Sequence, residues 1–151
     1  MEESFKWFIS GFVAGEGYFH IRKGRNNPRY KLNYHIGAEF GIKLGADDKK
    51  ILEKIKECLG CGHTMFENNQ GKDAYRFRVT KIKDLIEKII PFFDKYNFFS
   101  AKKQQTYNKW KVVVNMILEK EHLNKNGLET ILYLSKRINE NGKSHGNGRG
   151  D

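Results

Sequence analysis

Ile9-Ser10-Gly11-Phe12-Val13-Ala14-Gly15-Glu16-Gly17-Tyr18-Phe19-His20-Ile21-Arg22 changes its hydrophobic period part-way along. On its upstream side, Phe5, Phe8, Ile9, Phe12 and Val13 recur at the spacing of one helix face. That predicts a helix over residues 4–15, with Ser4 as its N-cap. Downstream, Tyr18-Phe19-His20-Ile21-Arg22 alternates as a strand does, and the alternation is clearer from Asn33 to Lys43. In that second run Tyr34, Ile36, Ala38, Phe40 and Ile42 share one face, and Asn33, His35, Gly37, Glu39, Gly41 and Lys43 share the other. The turn-rich Gly24-Arg25-Asn26-Asn27-Pro28 between the runs makes them a pair of strands.

The rest of the chain repeats this scheme. A helix near 47–59 buries Ile51, Leu52, Ile55, Cys58 and Leu59 and ends at Gly60. Two strands follow, about 63–67 and 74–80, joined by Asn68-Asn69-Gln70-Gly71. A third helix, about 81–90, carries Ile82, Leu85, Ile86, Ile89 and Ile90, with Pro91 just beyond it. Helices over 101–119 and 128–140 complete one domain spanning 1–140, and 141–151 reads as a flexible, Gly-rich tail. The expected class is α+β: an α-β-β-α-β-β-α order in which helices cover one face of an antiparallel sheet. The uncovered face would carry Arg22, His35, Glu39, Lys43, Arg76 and Arg78, because each is flanked by an apolar neighbour that must turn toward the helices. Lys23, Arg25, Arg29 and Lys31 add positive charge in and beside the first loop.

Composition narrows the partner. The 151 residues hold 28 Lys+Arg against 18 Asp+Glu, a formal charge of +10, with 38% hydrophobic residues to fill a core. Such a balance fits a polyanion, most simply nucleic acid, rather than a small-molecule substrate. No run approaches the roughly 18 apolar residues of a membrane span. The opening MEESFKWF is not a signal peptide, and two cysteines cannot staple a secreted mini-domain. A soluble, intracellular protein of a reducing compartment is expected, in a bacterial or archaeal cytoplasm or an organelle. The lone Cys58-Leu59-Gly60-Cys61 lacks the second pair a zinc site needs and reads as a helix end with two small thiols.

Local rules break at the end of the first helix. Gly11 and Gly15 lie on one face, and each costs roughly 0.5–1 kcal/mol relative to Ala, which close approach of another backbone would justify. Glu16 sits where the helix dipole disfavours an anion by roughly 0.3–1 kcal/mol. Packing against an identical helix would bring the two Gly faces together and converge both Glu16 carboxylates. A divalent cation relieves that repulsion, and hard oxygen ligands suit Mg²⁺ with substrate phosphates. The chemistry implied is metal-assisted phosphodiester hydrolysis.

The run from Ile9 to Gly17, continued by Tyr18 and Phe19, resembles the nine-residue motif of the LAGLIDADG homing endonucleases. The resemblance covers about residues 4–120 and includes the element order. It implies a four-stranded saddle over the DNA major groove and motif helices that form the dimer interface, here through Phe8, Gly11, Phe12 and Gly15. The metal would be held by Glu16, with Gly15 beside it. Ile90-Pro91-Phe92-Phe93-Asp94-Lys95-Tyr96 and Lys102-Lys103-Gln104 are similar to the region that supplies an active-site lysine, implying Lys102 or Lys103. Two positions depart from the pattern. Ala14 stands where an acid is common, and Leu44 stands where a polar residue often orders active-site water. One motif copy implies a homodimer on a palindromic or near-palindromic duplex, Mg²⁺-dependent double-strand cleavage and an intron-encoded or free-standing origin. A non-cleaving module on the same fold, an RNA-splicing maturase or a DNA-binding regulator, is the alternative that Leu44 favours.

Overall fold

The computed structural model describes residues 2–25, 28, 29, 32 and 34–142, the last three by backbone alone. Lys31, Asn33 and the tail from 143 onward therefore lie outside the described residues. Helix α1 (Glu3–Glu16) starts after Glu2, which makes no side-chain cap, so Ser4 falls inside the first turn rather than at the N-cap. Strand β1 (Gly17–Arg25) follows without a loop and extends through Gly24 and Arg25, which the turn-rich composition assigned to the loop. Pairing overrides that tendency: Gly24 lies opposite His35 and Arg25 opposite Tyr34 at the start of β2 (Tyr34–Gly45).

A 3₁₀ turn (Ala46–Asp48) leads into α2 (Lys49–Leu59), which Gly60 closes in the left-handed conformation at φ 73°. Strands β3 (His63–Asn69) and β4 (Lys72–Val79) reach further toward each other than their loop-like sequence suggests. Gln70 and Gly71 both take positive φ, the backbone of a two-residue hairpin turn, so Asn68 and Asn69 pair with Asp73 and Lys72. Next, α3 (Ile82–Asp84), a π turn (Leu85–Ile89) and α4 (Ile90–Lys95) succeed one another without a break. Pro91 thus lies within a helical stretch instead of ending it. The wider π turn removes the clash a proline ring would have with the carbonyl of the preceding turn.

Helix α5 (Ala101–Leu118) is capped by the Ser100 hydroxyl, which accepts the Lys103 N–H at 3.2 Å. After a second 3₁₀ turn (Glu121–Leu123), α6 (Lys125–Gly142) begins three residues before its apolar period does. Asn124 supplies the start signal, its side-chain oxygen accepting the Gly127 N–H at 2.8 Å.

The four strands form one antiparallel sheet in the order β1-β2-β4-β3, with helices on one side only. The α+β arrangement expected from the pattern is the one observed. Beneath the sheet the core is dense in aromatics: Phe19, Phe40, Phe77, Phe93, Tyr107 and Trp110 are buried, with Phe19 4.8 Å from Trp110 and 5.3 Å from Phe40. Each such ring contributes about 1.5–3 kcal/mol on burial. The apolar arc of α1 is wider than this contact. Ile9 and Val13 enter the core, whereas Phe8 stays 43% exposed and stacks between Phe5 and Phe12.

Candidate nucleic-acid interface and motif site

Glu16 ends α1 and is exposed, and it makes no hydrogen bond or ion pair with the described residues. Just past it the chain turns sharply, since a Cβ on Gly17 would meet Val13 Cγ1 at 2.7 Å. The carbonyl of Gly17 accepts the Lys103 ammonium at 2.7 Å, which ties α5 to the motif's end. Lys103 is 8% exposed, whereas Lys102 is exposed. Burial, with Lys102 adding to it, pushes the Lys103 amine down to about 8. Of the two candidate lysines, Lys103 is the one bonded to the backbone of Gly17, the residue after Glu16.

The outer side of α1 has an unusual relief. Among the described residues, a Cβ on Gly11 or on Gly15 would meet nothing within 4 Å, so no packing among them requires these glycines. Aromatic side chains rise on both sides of the groove they leave. Phe8 and Phe12 form one flank, and Trp7 forms the other, 5.7 Å from a Phe99 that is 91% exposed. Among the described residues there is no cluster of three metal-ligating side chains. The oxygen groups at the end of α1 are the Glu16 carboxylate and neighbouring backbone carbonyls. These are hard oxygen donors of the type Mg²⁺ takes, but too few to saturate an ion without water, phosphate or a second unit.

The open sheet face is built by register. Arg22 pairs with Gly37, His20 with Glu39, Tyr18 with Gly41 and Gly41 with Arg78, while Lys43 pairs with Arg76. Arg22, His35, Glu39, Lys43, Arg76 and Arg78 therefore share the face that the helices leave uncovered. They are not free-standing. Tyr18 donates to Glu39 at 2.5 Å and accepts from Arg76 Nη1 at 2.7 Å. Arg76 also grips Glu67 through Nε at 2.6 Å and Nη2 at 3.3 Å, and Lys43 reaches the same carboxylate at 3.3 Å. Arg78 lies 3.8 Å from Glu39 and bonds His63 at 3.3 Å. The Arg76 bonds hold the Glu67 carboxyl below its ordinary range, and burial together with Glu39 drives the Tyr18 phenol up. Burial also lowers the His20 imidazole, although Glu39 opposes the shift.

Glu39 is 5% exposed, so this carboxylate of the open face is enclosed by its neighbours. Arg22 lies across Gly37 with a buried Nε that has no hydrogen-bond partner among the described residues. Arg25 is exposed and its Nε donates to Tyr34 at 2.7 Å, and Arg29 is exposed in the turn. Leu44 pairs with Tyr75 on the helix-facing side and packs against the core. Cys58 and Cys61 are free and half-buried, and burial raises both thiols, Cys61 to about 11.

Sequence reasoning missed Tyr18 and Glu67. Parity could have found Tyr18, which shares its phase with His20 and Arg22 but carries an aromatic ring that reads as core. Nothing flagged Glu67, because His63-Thr64-Met65-Phe66-Glu67 has no clean alternation.

The family model for the LAGLIDADG endonuclease matches residues 9–114, which takes in the second half of α1, the whole sheet and most of α5. The chain belongs to the LAGLIDADG endonuclease family. Among curated relatives, "Probable intron-encoded endonuclease 2" of Neurospora crassa is 34% identical over 83% of this chain and 27% of its own length. Among solved structures, the I-SmaMI LAGLIDADG homing endonuclease bound to cleaved DNA is 32% identical with a TM-score of 0.79, over 85% of this chain and 42% of that one. The I-LtrWI LAGLIDADG homing endonuclease bound to target DNA is 33% identical with a TM-score of 0.82, over 90% and 44%. This LAGLIDADG chain thus spans about a quarter of that curated relative and under half of either solved structure. No helix among its described residues is long and apolar enough to cross a membrane.

Proposed function

We propose that the chain is a site-specific homing endonuclease that makes Mg²⁺-dependent double-strand breaks in a long, near-palindromic DNA target as a homodimer. The observation that carries this reading is Glu16, exposed and without a partner among the described residues, at the end of a helix whose Gly11–Gly15 face none of those residues covers. A second copy seated on that face brings a second Glu16 beside the first. Two copies also approach the length of one I-SmaMI chain, which the present chain covers by 42%. In the dimer, Phe8 and Phe12 would line the contact around the glycines.

Glu16 and the Gly15 carbonyl would hold Mg²⁺, which supplies charge stabilisation at the scissile phosphate when bound. Lys103 then has a defined task. Its amine, tied to Gly17 and poised near neutrality, accepts or returns a proton beside the phosphate, whereas exposed Lys102 meets the DNA backbone. On the sheet, Arg22, His35, Lys43, Arg76 and Arg78 face base edges, with Glu39 behind them, and Arg25, Arg29 and Lys31 take phosphates. Residues 1–140 act as one unit in this scheme. The setting is an intracellular, reducing one, in which Cys58 and Cys61 stay thiols.

Incubation with Mg²⁺ and a plasmid library of candidate sites tests the proposal: discrete double-strand cuts are expected. Retention of DNA without cutting would support the non-cleaving module instead. That second reading draws on Leu44, whose side chain is turned into the packing and offers no polar group to water at the end of β2.

A further inference from the structure

Arginine side chains that read bases need a fixed aim, and the open face shows how one is aimed. Arg76 has one N–H on Nε and two on each terminal nitrogen. Three of these are committed: Nε and Nη2 to Glu67, and Nη1 to the Tyr18 hydroxyl. One N–H remains on each terminal nitrogen, the pair that matches guanine O6 and N7. Glu67 grips the guanidinium from β3, on one side, and Tyr18 grips it from β1, at the far edge of the sheet.

Tyr18 can reach that far because of Gly41. A Cβ there would collide with the Tyr18 ring, so the ring lies across bare backbone. The hydroxyl arrives between a nearly buried Glu39 carboxylate at 2.5 Å and the Arg76 guanidinium at 2.7 Å. It donates to one and accepts from the other, so it is a neutral spacer between two charges that would otherwise close on each other. Arg78, 3.8 Å from Glu39, is the second cation such a collapse would draw inward.

We propose that Tyr18 is a positioning residue for base recognition: its hydroxyl, held over Gly41 between Glu39 and Arg76, keeps the Arg76 guanidinium facing DNA. The inference rests on the sheet face reading DNA. Without the hydroxyl, Glu39 loses its hydrogen-bond donor while staying enclosed, and the free Nη1 of Arg76 turns inward to replace it. The guanine preference of Arg76 then falls although Arg76 itself is intact.

The test uses the full-length protein and a pool of randomised duplex DNA, selected for binding without Mg²⁺ and sequenced. Wild type, Arg76→Ala, Tyr18→Phe and Glu39→Gln are compared, with thermal melts of each. Phenylalanine keeps the ring over Gly41, and glutamine keeps an acceptor for Tyr18 while removing the charge that draws Arg76 in. Arg76→Ala should flatten one symmetric base pair. Tyr18→Phe should weaken preference at that same pair by roughly fivefold to tenfold, with overall affinity and other positions little changed. Glu39→Gln should retain most of it. A merely structural Tyr18 would lower affinity evenly at all positions, and that outcome overturns the proposal. So does a Tyr18→Phe profile equal to wild type at the pair that Arg76→Ala flattens. If Arg76→Ala also leaves the profile unchanged, the DNA-reading role of the sheet fails first and takes this inference with it.

Discussion

The open face of the sheet and the outer face of α1 treat polar groups in opposite ways. On the sheet, Tyr18, Glu39, Lys43, Glu67, Arg76 and Arg78 satisfy one another across four strands, so the surface is set before any ligand arrives. On α1, Glu16 has no partner among the described residues, and a Cβ added at Gly11 or Gly15 would meet none of them within 4 Å. A folded chain does not place an anion at a helix C-terminus and two glycines within a helix for its own stability. The first region is satisfied within one chain, and the second keeps an open glycine face. On the proposed reading, specificity is encoded in a single unit, whereas the chemistry needs a second one.

The sharpest break in this contrast comes from Glu16→Gln. The substitution keeps size and hydrogen bonding but removes the charge a cation needs. If metal-assisted charge stabilisation supplies several kcal/mol, cleavage should fall by about a thousandfold, with DNA binding retained. Mg²⁺-dependent cutting at the wild-type rate by this variant would remove Glu16 from the mechanism.

Two glycine substitutions sharpen the contrast further. Gly15→Val puts a branched side chain into space that is empty in the chain alone, so helix content should survive while the dimer is lost. Sedimentation showing an unchanged dimer would count against the Gly face as interface. Gly41→Ala should do the reverse. Its Cβ would press on the Tyr18 ring and lie 2.9 Å from the Phe77 carbonyl, destabilising the fold by roughly 1–3 kcal/mol.

The two regions also differ in how much of them the sequence revealed. Alternation marks β1, β2 and β4 in the sequence, and the parity of β2 puts Glu39 and Lys43 on the open face, because a one-residue slip would bury charges. The Gly11–Gly15–Glu16 anomaly was visible for the same reason: it breaks local rules that a single residue can break. What stayed hidden depends on pairs remote in sequence. Tyr18 meets Arg76 across 58 positions, and Gln70-Gly71 forms a tight turn only because both residues take positive φ. Pro91 was taken for a stop because the widened turn before it leaves no mark in composition.

Lys103 links the regions, and pH probes it. Its amine titrates near 8 in the folded chain against an ordinary 10.5, because burial disfavours the ammonium and Lys102 adds repulsion. Below about 8 both states are protonated and folding bears the full cost of the buried charge. Between 8 and 10.5 the unfolded chain binds the extra proton, so stability from this group rises with pH across that window. Lys103→Met should abolish that rise, leaving a melting temperature that gains less than wild type between pH 8 and 10. Parallel melting curves for the two proteins would show that the amine is not desolvated as the structure places it.

Arg25 gives the smallest effect and the finest test of how the sheet face ends. Strand β1 carries it to the rim, where it is exposed and, among the described residues, bonded to the Tyr34 hydroxyl, outside the ion-pair network around Arg76. A side chain so placed can neutralise a phosphate without being held against a base edge. Arg25→Ala should therefore weaken DNA binding evenly across target variants, and the slope of log affinity against log salt should shrink by about one ion. A change confined to one base pair, with the salt slope intact, would move Arg25 into the base-reading set and extend the preformed face to the end of β1.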